Sequence, residues 1–81
     1  MVKNPMNSKE TQQSIRGDLI TLGQLIKLLN LISSGAEVKE FLADHRILVN
    51  DEAENRRGRK LHPGDLVTIG GVGAFRLISA D

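Results

Sequence analysis

Large apolar residues are sparse before Leu19 and regularly spaced after it. Between Met1 and Asp18 only Val2, Met6 and Ile15 are large and apolar, which predicts a disordered or loosely attached tail over residues 1–18 and a folded domain over 19–81. Leu22, Leu25, Ile26, Leu29 and Ile32 follow the i, i+3, i+4, i+7 spacing of an amphipathic helix. Thr21 and Gln24 form a T-x-x-Q capping box at its start. Ser34 and Glu37 repeat that signal ahead of Val38, Phe41 and Leu42, predicting a second short helix. It should close at Asp44-His45-Arg46, because Asp and His tolerate the left-handed backbone that often ends a helix. Lys27 and Lys39 fall off the two apolar stripes.

The pattern then changes period. Ile47-Leu48-Val49 is a short β-favouring run, and Asn50-Asp51 reads as a turn. His62-Pro63-Gly64-Asp65 places Pro and Gly for a type II turn. Leu66 to Ile69 and Phe75 to Ile78 read as strands, with Gly70-Gly71-Val72-Gly73 as a hairpin connection. A nucleotide-binding glycine loop would need a following helix, and a strand pattern follows instead. The expected fold is α+β, with two short packed helices followed by a small, mostly antiparallel sheet of three to five strands.

Composition narrows the function. At 81 residues the chain holds one domain. A domain of this size buries only about 60% of its unfolded surface, too little for both a core and a deep substrate pocket. The absence of cysteine excludes disulfides and thiolate metal sites. With no apolar leader and no run of about 18 apolar residues, a cytoplasmic protein is expected, without a membrane partner. His45 and His62 fit neither a metal-ligand spacing nor a nucleophile–base pair. No catalysis, metal, cofactor or small-molecule substrate is therefore expected.

Net charge is only +1, but its distribution is uneven. Arg56, Arg57, Arg59 and Lys60 surround Gly58, just after Asp51, Glu52 and Glu54. Arginine forks bind phosphate oxygens in pairs, and neutralised phosphates release counterions. The competing reading is a solvated charge run paired with those three acids. The chain has no Trp or Tyr, and Phe41 and Phe75 sit on apolar faces. With no aromatic platform for single-stranded bases, backbone shape is the expected recognition feature.

These residues also carry a resemblance. In order, they are Ile20-Thr21-Leu22-Gly23-Gln24-Leu25-Ile26-Lys27, Ser34-Gly35-Ala36, Val49-Asn50-Asp51, Asn55 to Leu61 and Gly64-Asp65. The combination resembles the S-four RNA-binding domain, or αL motif, and within it the small stand-alone YaaA-like branch. The resemblance spans Ile20 to about Ile78. It implies a module that binds structured RNA, ribosomal or transfer RNA, with an expected role in ribosome assembly or ribosome-associated control; nothing in the chain requires more than a monomer. It also implies an RNA-binding surface of Ser34, Gly35, Lys39, Arg46, Asn50, Asn55, Arg56, Arg57, Arg59 and Lys60. Two positions depart from the family pattern: Gly35 stands where many members carry arginine, and His45 replaces a glycine. The alternative function is a protein adaptor that docks the same basic loop on an acidic partner.

Overall fold

The computed structural model describes residues 10–80, and within them the chain forms one five-stranded sheet, one two-stranded sheet and two helices. The strands are β1 (Glu10–Ile15), β2 (Ile20–Thr21), β3 (Ile47–Val49), β4 (Glu52–Ala53), β5 (Lys60–Leu61), β6 (Leu66–Ile69) and β7 (Gly73–Ser79). The helices are α1 (Leu22–Leu28) and α2 (Val38–Asp44). The large sheet runs β1-β7-β6-β3-β4, and β2 pairs with β5. Only the β1–β7 pair is parallel.

Period-2 alternation sets the inner face of the sheet. Ile47 pairs with Ile69 and Val49 with Val67, and all four are buried. Leu77 of β7 joins this face, and Leu22, Leu25, Ile26 and Phe41 of the helices close over it. The capping box at Thr21 forms as its residues predict. The Thr21 hydroxyl accepts from the Gln24 amide at 3.2 Å, and the Gln24 carbonyl oxygen accepts from the Thr21 amide at 2.9 Å. The helix stops at Leu28 because Asn30 turns left-handed at φ 62. Asn30 N–H then donates to Lys27 and Leu31 N–H to Ile26, a Schellman closure. Leu29 and Ile32 lie beyond the helix but still pack on the core.

The second capping box does not form. Glu37 spends its carboxylate on the Ser33 amide at 2.7 Å, and Ser34 makes no side-chain cap. A 3-10 turn over Gly35–Glu37 leads into α2 instead. Nor does α2 close left-handed. His45 is extended, at φ −128, because the chain enters β3 two residues later. The His45 ring stacks on Phe41 with centroids 4.0 Å apart. Asn50 and Asp51, at φ 51 and 70, make a two-residue hairpin turn whose twist suits the strands it joins. Gly64, at φ 99, occupies the type II position, with Asp65 N–H donating to His62 at 3.0 Å.

The larger difference from the sequence reading lies at Glu10–Ile15, which the reading assigned to the tail. This segment is an edge strand, parallel to β7 over its whole length. Ladder hydrogen bonds and one apolar anchor hold it, and neither leaves an apolar pattern in the sequence. Ile15 is buried, Ala80 N–H donates to the Ile15 carbonyl at 2.9 Å, and Glu10 pairs with Arg76 at 3.0 Å. The part of the expected tail before Glu10 lies outside the described residues.

Replacing Ile15 with alanine should therefore destabilise the domain by about 2–5 kcal/mol in urea or thermal unfolding. A change below about 0.5 kcal/mol, the usual result at an undocked surface position, would contradict the docking of β1.

Candidate nucleic-acid interface

The segment Asn55–Arg59 joins β4 to β5 and contains no apolar residue, so hydrophobic burial cannot hold it in place. A carboxylate does so instead. The Glu54 side chain is 6% exposed and accepts five hydrogen bonds. The donors are the Asn55 and Arg56 amides at 3.1 and 2.9 Å, Arg56 Nε and Nη2 at 2.9 and 3.0 Å, and Arg59 Nη1 at 2.8 Å. Glu54 N–H donates to Ile47 at 2.9 Å, which ties this anchor to β3.

The other side of the loop rests on α1. Leu22 N–H donates to the Arg59 carbonyl and Gly23 N–H to the Arg57 carbonyl, both at 2.9 Å. Helix starts leave such amides without intrahelical partners, and here the loop supplies them. The two backbones meet at Gly23, where a Cβ would make ordinary van der Waals contact, 3.4 Å from the Arg57 carbonyl oxygen and 3.6 Å from a Val38 methyl.

The expected residues are distributed as follows. Arg56 and Arg59 share the Glu54 carboxylate, with side chains 71% and 29% exposed. Arg57 and Lys60 are exposed and, among the described residues, have no ion pair. The expected pairing of the basic run with its acidic neighbours is thus realised at Glu54, while Asp51 and Glu52 make no ion pair with it. Arg56, Arg59 and Lys60 line one depression on the loop. Arg46 and Asn55 line a second one, of about 310 Å³, together with Glu54. Gly35 lines a third, of about 230 Å³, with Arg57 and Gly58. Ser34 and Lys39 are exposed beside these depressions in sequence but line none of them.

Asn50 is held elsewhere. Its amide donates to Asp65 at 3.0 Å and accepts from the Leu66 N–H at 3.0 Å, so its side chain closes the β3–β4 turn against β6. Sequence reasoning missed Lys27, which lines the Gly35–Arg57 cleft. Its position four residues after Gly23, hence on the same helix face, is the signal that could have found it.

Hydrogen bonds from the Arg56 side chain, then from its amide, hold the Glu54 carboxyl well below the usual carboxylate range, against the opposing effect of burial. The same bond raises Arg56 further above its ordinary value. At Asp65 burial pushes upward, but hydrogen bonds from Asn50 and the His62 amide outweigh it and lower the carboxyl.

A helix pair and a basic loop held together in this way define a small α+β module with a basic surface. The chain belongs to the S4 domain family, which matches residues 13–76. It is 53% identical over 66 residues to the probable ribosome maturation protein RlbA of Bacillus subtilis, covering 82% of this chain and 93% of that protein.

Glu54→Ala leaves two loop amides without their acceptor and should cost about 2–3 kcal/mol in chemical denaturation. Because the folded carboxyl titrates below its ordinary value of 4.5, its ionised form stabilises the fold above that pH, and the contribution is lost as pH falls below it. The stability difference between the native chain and Glu54→Gln should therefore shrink as pH is lowered from 6 toward 3 (roughly the glutamate titration range). A difference independent of pH would refute the assignment.

Proposed function

We propose that this chain is a non-catalytic RNA-binding domain that grips the phosphate backbone of structured RNA, ribosomal or transfer RNA, and serves ribosome assembly. One observation carries the reading: in a domain of the S4 family, Arg57 on a loop fixed from both sides and Lys60 at the start of β5 are exposed and, among the described residues, without an ion pair. Arg56 and Arg59 share one carboxylate between them, so the loop keeps a local positive excess despite the near-neutral chain. Gly35, Arg46, Asn55 and Lys27 line the depressions around it. Ser34 and Lys39, exposed before and in α2, join the proposed surface on the family resemblance.

Fixing the loop before binding lowers the entropic cost of ordering long side chains on a polyanion. The RNA connection is supported by the family and by the Bacillus relative, a probable ribosome maturation protein.

A structured RNA titrated at rising salt should show a log–log slope of about −2 to −4, corresponding to roughly four phosphates. Arg57→Ala with Lys60→Ala should reduce the magnitude of that slope by about 1.5–2 and weaken binding across unrelated RNA sequences, with the melting transition unchanged. A flat salt response would count against RNA, and partners that survive ribonuclease treatment would point to an acidic protein surface.

A further inference from the structure

We propose that the RNA-binding face continues beyond the loop into the groove beside α1, and that this groove receives an unpaired nucleotide of the RNA. The inference rests on the RNA reading above and adds a feature that backbone recognition alone does not require. The groove encloses about 650 Å³. Among the described residues, three large apolar side chains are exposed, and two of them, Leu19 at 49% and Leu28 at 46%, line it. Single exposed leucines are ordinary, but two side by side give this concave surface an apolar wall.

Charge says what kind of partner fits. Arg16 and Lys27 also line the groove, and among the described residues both are exposed and without an ion pair and no carboxylate lines it. An apolar wall with cations and no anion suits a base whose flanking phosphates carry negative charge. Gln24 adds a polar contact. Its side-chain oxygen is taken by the capping box, while its Nε2 has no partner among the described residues and can donate to the edge of a base.

Continuity favours RNA over an acidic protein helix. Gln24 and Lys27 line both this groove and the cleft beside Arg57 and Gly58. One strand of phosphates can therefore cross from the loop to the groove along α1, whereas a protein helix would need its own acidic residues matched to Arg16 and Lys27. Leucine offers no aromatic stack, so the site should accept several bases with little discrimination.

The test compares the full chain on two labelled RNA hairpins, one carrying a single-uridine bulge and the other fully paired. The bulged hairpin should bind on the order of tenfold tighter, an increment that one modest apolar contact supplies. Leu19→Ser with Leu28→Ser should bring the bulged hairpin to the level of the paired one and leave the paired one unchanged. If that double variant does not melt cooperatively, Arg16→Ala serves in its place and should narrow the preference. A 4-thiouridine at the bulge should crosslink to the segment Leu19–Leu28. Equal binding of the two hairpins, or a preference that survives the variants, would overturn the nucleotide site while leaving backbone binding intact. Equal loss on both hairpins would overturn it as well. Salt-insensitive or absent binding to either hairpin would instead remove the RNA reading on which it rests.

Discussion

The Glu54 carboxylate is the point on which the shape of the basic surface depends. A loop of Asn, Arg and Gly has no apolar group to bury and would otherwise sample many conformations. Glu54 is buried at the end of β4 and takes five donors from the three residues Asn55, Arg56 and Arg59. A buried charge is tolerable when its hydrogen bonds are satisfied, and here the groups that satisfy it belong to the loop itself. Cost and order are therefore linked: the carboxylate can stay buried only while the loop is folded around it.

The same economy governs the first helix. At seven residues, α1 is too short to be stable alone. Its first three amides are completed by Arg59, Arg57 and Thr21, so each of them has a partner. The loop finishes the helix, and the helix holds the loop at Gly23, where the backbones meet closely. The start of α1 is thereby occupied by protein carbonyls. Positive character on this face comes from side chains, not from free helix amides.

Sheet topology sets what surrounds this arrangement. β3 carries the anchor for Glu54 on its Ile47 carbonyl, and its inner residues interlock with those of β6. At the far edge, β1 docks parallel to β7 and places Ile15 and Arg16 beside the exposed side of α1. That edge strand turns an otherwise simple helix flank into a groove. A segment with little hydrophobic signal thus shapes the surface next to the basic loop.

Elements whose cause is local were legible in the amino-acid order. Apolar spacing marked both helices but ran α1 past its end at Leu28, the Thr21–Gln24 box fixed where α1 starts, alternation fixed β6, and glycine and asparagine fixed the turns at Asn50, Gly64 and Gly71. That order also marked Arg56 to Lys60 as the place where charge concentrates. Only tertiary structure decided which of those charges are engaged. Residues 54, 56 and 59 meet because two strands and a helix start bring them together, and hydrogen bonds of that kind leave no period in the chain. The same holds for β1, whose ladder uses backbone groups common to every residue, for Asn50, drawn to Asp65 across 15 positions, and for Lys27, brought beside Arg57 by packing at Gly23. Local propensity and periodicity are written residue by residue, whereas the pairing of distant polar groups exists only once the chain has folded around them.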